Sequence, residues 1–206
     1  MPDFPDPKTR NVLEEGCERC PSLVESRNCI SWGNGAEDAR VIVVGEAPGK
    51  GNPDAERWRG GNWTGLAYTS RHSGQKVRDL MSDAGVEDVY YTNAVKCFPE
   101  EEDGDSNREP ARGELENCWT HLKNELDEID PEVVVTTGKH STNLVLEKEG
   151  KELDGFVDSV LEAVDCDSLG VSVVPVLHPS YQDIWLSRLG YSYDEYVEEL
   201  RRILLN

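Results

Sequence analysis

The chain has 206 residues, 37% of them hydrophobic and 30% charged, with a formal net charge of −20. That length suits one α/β domain with a buried core, and no stretch approaches the ~20 apolar residues of a membrane span. The charge opposes two readings: a protein that never meets nucleic acid, since DNA enzymes usually present a basic face, or a halophilic protein whose carboxylates keep it hydrated in a salt-rich cytoplasm.

Only three Phe and the acidic runs at 100–105 and 196–200 suit the salt-rich reading, where counterion release contributes little to DNA binding anyway. Residues 1–16 are polar and carry prolines, so a loose lead-in is expected. They lack the apolar core of a secretion signal, which makes the cytoplasm the expected location. Cys17 and Cys20 follow in a loop or short helical turn.

Residues 39–45 form a continuous apolar run of the kind buried on both faces of a parallel sheet. It ends in 46–65, rich in Gly, Pro and Asn and therefore loop. Val77, Leu80, Met81 and Ala84 have helical spacing and predict a helix over 74–86, closed at Gly85. A second strand is predicted at 89–95 and an acidic loop at 96–110. A helix follows at 111–129, with Leu115, Cys118 or Trp119, Leu122, Leu126 and Ile129 on one face. The third strand spans 132–138 and leads into a helix stopped by Gly150. The fourth spans 171–177, where Pro175 predicts an edge position or a bulge. A last helix covers 193–205.

Strand, loop and helix recur four times. This predicts one domain over 1–206, a three-layer αβα fold around a central four-stranded parallel sheet. Ligands of such sheets sit beyond the carboxyl ends of the strands. Gly45–Gly49, Asn93–Cys97, the 137–141 segment and His178–Ser180 all fall at those ends, and this convergence says more than any single motif.

Six cysteines are present. In a cytosolic chain, Cys17 and Cys20 at CxxC spacing read as metal or redox chemistry. With Cys97 and Cys118 they meet the ligand count of a cubane iron–sulfur cluster or of structural zinc. The open spacing of the second pair favours the cluster over zinc or unligated thiols. Cys29 and Cys166 read as small hydrophobes.

Each polar motif has a bland and a functional reading. Gly45–Gly49 is a structural turn, or a place where backbone approaches a flat ligand and Glu46 projects into a cleft. Asn93 is a strand-end Asx turn, or an amide reading a pyrimidine edge. His178 is a satisfied loop histidine, or a neutral donor to a departing anionic base. Trp63 is packing, or a platform for a flipped base. Tyr181, Ile184 and Trp185 are a buried helix start, or a wedge into the gap left by such a base.

Taken together, CERC (17–20), VIVVGEAPG (41–49), WTG (63–65), VYYTNAVKCFP (89–99), NREP (107–110), ENC (116–118) and HPS (178–180) resemble the family-4 uracil-DNA glycosylases, the iron–sulfur branch of their superfamily. The resemblance runs in the family's order from Cys17 to Ile184. It implies a uracil-DNA glycosylase-like fold and excision of uracil from single- or double-stranded DNA. It also implies a [4Fe–4S] cluster on Cys17, Cys20, Cys97 and Cys118. The uracil pocket would come from Gly45, Glu46, Ala47 and Pro48, with Asn93 on the pyrimidine edge and Ser180 beside His178. Glu46 and His178 are the catalytic candidates, and Trp63 stands for the family's stacking Phe. A monomer is expected. The loop from GEAPG to WTG and the Cys97–Cys118 spacing are longer than in the family. Ala47 stands where archetypal uracil glycosylases carry a water-activating aspartate. The pattern at 63–74 is similar to family-5 enzymes of broader substrate range, but their first motif is apolar where this chain has Glu46. Competing expectations are a non-catalytic iron–sulfur DNA-binding or redox module, and a glycosylase of other deaminated bases.

Overall fold

The computed structural model describes residues 2–205 apart from 103 and 105, so two positions of the acidic run 100–105 lie outside the described residues. A 3₁₀ turn (Pro7–Thr9) and α1 (Pro21–Ser26) precede a two-residue strand β1 (Asn34–Gly35). Next come β2 (Val41–Gly45), the single turn α2 (Gly61–Thr64), α3 (Ser73–Asp83) and β3 (Val89–Asn93). The second half holds α4 (Arg112–Ile129), β4 (Val133–Thr137), α5 (Lys139–Lys148), β5 (Val164–Cys166), β6 (Val171–Val176), α6 (Gln182–Leu189) and α7 (Tyr193–Leu204).

The sheet order is β1-β3-β2-β4-β6-β5. Its four central strands are the four expected ones and are mutually parallel. The two edge strands pair antiparallel and were not expected; at two and three residues they are too short to show a period. Successive β-strand side chains point to opposite faces. Val41 and Val43 therefore pack with Leu80, Met81 and Leu200, under α3, α6 and α7. Ile42 and Val44 pack with Leu122, Leu126 and Val145, under α4 and α5. Each buried Val or Leu contributes roughly 1.5–3 kcal/mol, so both faces of β2 must be covered, as its unbroken apolar run requires.

Pro175 is a correction: it lies inside the sheet, between β4 and β5, and causes no edge. Its carbonyl accepts from the Leu161 backbone amide at 2.9 Å, so its nitrogen also faces that side. The ladder of β5 has already ended there, at Val173. The missing N–H removes no ladder bond.

The lead-in is also not loose. Asn11 bridges to Gly33 and its Nδ2 donates to Glu128 Oε2 at 2.9 Å. The Phe4 ring meets Trp58 edge-on at 5.2 Å. Among the described residues no helix is long and apolar enough to cross a membrane.

Candidate functional site

Gly45, Glu46, Ala47, Pro48, Asn93 and His178 line one slot at the carboxyl edge of the sheet, with Tyr68 and Thr137. The register explains the meeting. Gly45 stands opposite Asn93 in the β2–β3 ladder, and the pairing continues past the strand ends: Ala94 N donates to Gly45 O at 2.7 Å and Val95 N to Glu46 O at 2.9 Å. A Cβ at Gly45 would lie 2.4 Å from Asn93 Oδ1 and 2.6 Å from the Tyr68 hydroxyl. Only glycine lets those two groups close on the slot.

Asn93 is held from behind. Its carbonyl accepts from Lys96 Nζ at 2.7 Å. Lys96, 1% exposed, also donates to Thr92 Oγ1 at 2.6 Å and to Glu125 Oε2 at 2.5 Å. Tyr90 donates to the other Glu125 oxygen at 3.1 Å. A charge pair this deep is tolerable only when its remaining hydrogen-bonding capacity is filled, and here it is.

His178 follows β6. The Ser180 backbone amide donates to its Nδ1 at 3.2 Å, which leaves Nε2 to carry the ring proton. Burial, with the nearby His140 second, holds the imidazole below the ordinary histidine pKa. It is therefore a neutral donor. Gly138, at φ +91°, gives it room, since a Cβ there would sit 3.3 Å from His178 Cβ. Ser180 itself is exposed; it contributes its backbone and does not line the slot.

Burial lifts the Glu46 carboxyl above the ordinary carboxylate pKa; His140 opposes the rise and Glu109 adds to it. His140 Nε2 and Glu109 Oε1 lie 3.1 Å apart. Asn107, in the NREP segment, ties down the loop after Glu46: its Nδ2 donates to Pro48 O at 3.2 Å, and its Oδ1 accepts from Lys50 N at 3.3 Å.

Trp63 is not brought to the slot. Its Nε1 donates to Lys50 O at 2.8 Å, so it buttresses the outside of the glycine loop. Tyr68, which the sequence did not single out, is the aromatic residue that lines the slot. The Tyr68 hydroxyl bonds Thr137 Oγ1 at 2.7 Å and its ring packs against Tyr91 at 5.8 Å. Its backbone has φ +54°, an uncommon state for an aromatic residue. Arg78 holds it there. Arg78 Nε donates to Tyr68 O at 3.0 Å, Nη2 donates to Asn34 Oδ1 at 2.7 Å, and the guanidinium stacks on Tyr91 at 3.9 Å. Burial pulls the Arg78 pKa down to about 10.

A wider groove of about 680 Å³ opens from Glu46 and His178, lined among others by Lys139, His140, Phe156 and Trp185. Tyr181 lines its α6 end; Tyr181 and Ile184 are 58% and 55% exposed, so they are not a buried helix start.

The cysteines form a second centre. Cys97 and Cys118 are buried with Leu23, Ile30, Trp32 and Val95, and Cys17 and Cys20 pack against them. The thiols sense one another: Cys17 and Cys20 act on Cys97, and Cys97 and Cys20 act on Cys118. Burial pushes Cys118 up to about 11, so metal binding must displace its proton. Arg27 Nη1 donates to Cys97 Sγ at 3.3 Å and Asn117 Nδ2 to Cys20 Sγ at 3.4 Å. A single tetrahedral zinc ion would draw its sulfurs to about 3.8 Å apart. Among the described residues, the donor trio lying within 4.8 Å of one another is Glu14, Cys17 and His121, not a set of thiols. Cys29 Sγ instead faces Asn62 O at 3.1 Å, and Cys166 is core.

The sequence profile of the uracil DNA glycosylase superfamily matches residues 32–201. A type-5 uracil-DNA glycosylase of Pyrobaculum aerophilum is 32% identical over 216 aligned positions, covering 90% of this chain and 87% of that protein. A type-4 uracil-DNA glycosylase of Thermotoga maritima is 31% identical over 168 positions, 80% of this chain and 77% of that one. Another type-4 enzyme, of Saccharolobus solfataricus, is 28% identical over 169 positions, 80% and 71%.

Proposed function

The chain belongs to the uracil DNA glycosylase superfamily, and on that basis we propose that it excises uracil from DNA by hydrolysing the N-glycosidic bond, leaving an abasic site. The observation that carries this reading is the convergence of Glu46, Asn93 and His178 on one slot.

The target uracil leaves the stack at a cost of a few kcal/mol and enters the slot. The Asn93 amide offers one donor and one acceptor, the complement of the uracil O4 and N3–H edge. Tyr68, not Trp63, gives the aromatic wall. Tyr181, exposed in the groove, and Ile184, exposed on the first turn of α6, fill the gap left in the strand.

The bond between C1′ and the base nitrogen breaks with an oxocarbenium-like sugar, and the base leaves as an anion. His178 Nε2–H stabilises the developing negative charge on the uracil oxygen. Ionised Glu46 supports the sugar cation and orients the water that adds to C1′. The water proton passes to solvent or to Glu46, and the released base regains a proton.

Cys17, Cys20, Cys97 and Cys118 would hold a [4Fe–4S] cluster; the gathering of four cysteines in one apolar lining supports this. Bound there, it supplies four iron–thiolate bonds that staple the lead-in, the β3 exit and α4 together. The chain acts as a monomer on single- or double-stranded DNA.

The test is uracil release from both kinds of strand, at low and high salt, by the iron-loaded protein and by Asn93→Ala. The wild type should release uracil. The variant should lose the activity by about two orders of magnitude while its iron content and brown absorption stay unchanged. A wild-type protein that frees no uracil under any of these conditions refutes the function.

A further inference from the structure

Three of the four cysteines already have an N–H donor. Arg27 serves Cys97, Asn117 serves Cys20, and the Lys96 backbone serves Cys118. Beside Cys17 lies His121, one ring nitrogen of which shares a space within 4.8 Å with the Cys17 sulfur and a Glu14 carboxylate oxygen.

His121 lies three residues after Cys118 on α4, so the two side chains leave the same helical face. It is 2% exposed, and its Nε2 is buried without a hydrogen-bond partner. Glu14 Oε2, at 3.7 Å, is beyond bonding distance and is instead gripped by Arg19 at 2.6 Å. The ring cannot swing away, because it meets Trp32 edge-on at 5.1 Å and 89°. An orphaned buried donor costs about 1–3 kcal/mol, a cost that persists only where something offsets it.

We propose that His121 is the fourth donor of the metal centre, hydrogen-bonding the Cys17 thiolate through Nε2–H once the cluster is bound. This rests on the cluster reading above. A donor on a cluster sulfur withdraws electron density and favours the reduced state, which raises the reduction potential. The role belongs to this side chain and not to a ligand: iron stays on the four sulfurs.

The experiment compares anaerobically purified wild type, His121→Leu and His121→Gln. Iron and zinc content, visible absorption and reduction potential are measured on each. All three should carry equal iron. The potential should fall in His121→Leu and return toward wild type in His121→Gln, whose amide nitrogen can reach the same sulfur. On the unmodified protein, ¹⁵N-histidine labelling should give the reduced cluster a weak nitrogen coupling of hydrogen-bond size, a readout that needs no variant to fold. An unchanged potential in iron-replete His121→Leu overturns the inference. So does a strong direct iron–nitrogen coupling, or loss of a bound zinc or iron equivalent in His121→Leu, either of which would make His121 a ligand. A wild type that purifies without iron removes the cluster reading, and this inference with it.

Discussion

The two centres are built in opposite ways. In the slot, Asn93, His178 and Glu46 line open space, and two of them are held from behind: Asn93 through its carbonyl and His178 through Nδ1. Around the cysteines the lining is apolar and the polar groups that do pair act on the cysteines themselves, as Arg27 and Asn117 do. One segment joins them: Thr92 to Cys97 supplies the slot's Asn93, the buried Lys96 and one of the four clustered cysteines within six residues. The slot can thus leave its side chains unpaired for a substrate because the segment beneath them is locked to α4.

Breaking that lock should give the largest effect. Lys96→Met leaves Glu125 charged, buried and uncompensated, which costs about 3–5 kcal/mol. It also frees the Asn93 carbonyl. Thermal or denaturant unfolding should show the loss, and uracil release should fall with it. The double variant Lys96→Met/Glu125→Leu should recover most of the stability and not the activity, which separates holding the fold from positioning Asn93. If Lys96→Met alone is as stable as wild type, the two regions are not coupled in this way.

Within the slot itself, His178→Ala should slow release about a hundredfold, the usual effect of removing one preorganised donor to a developing anion, with stability and iron unchanged. Single-turnover rates on a uracil oligonucleotide measure it. Next in size is the aromatic wall. Tyr68→Ala should cost about 1–3 kcal/mol of base stacking, read in kcat/KM, and Trp63→Phe much less. The reverse order would restore Trp63 as the platform.

This contrast also shows where the sequence was legible. The parallel centre of the sheet was readable because strands buried on both faces are unbroken apolar runs, as 41–45 is. That Glu46, Asn93 and His178 meet at one edge was readable because parallel topology forces strand ends together. Tyr68 was missed because a Trp in a Gly-rich loop looks like a platform, whereas the hydrogen bond from Trp63 to Lys50 and the positive φ of Tyr68 are tertiary facts. Arg78 and His121 were missed for the same reason: helical spacing marks a buried face, not the identity of the atom a polar side chain meets across it. Asn107 lay inside a quoted motif, yet its grip on both sides of the glycine loop needed coordinates.

The smallest effect tests the electrostatics of the open side. Burial raises the Glu46 pKa, His140 opposes the rise and Glu109 adds to it. On the proposed mechanism ionised Glu46 is the active form, so release should fall as pH drops through that raised value. Burial lowers the His178 pKa, so the imidazole stays neutral to lower pH than an ordinary histidine, and the two variants below act on the Glu46 side of the limb. His140→Ala removes the opposing influence and should move the acid limb to higher pH. Glu109→Gln removes a charge that disfavours ionisation and should move it to lower pH. Glu109 is exposed and His140 half-buried, with side chains 76% and 42% accessible, so salt should shrink both shifts, the Glu109 one more. Single-turnover pH profiles in which both variants overlay the wild type would mean that Glu46 does not control the acid limb, and would leave its place in the slot to shape alone.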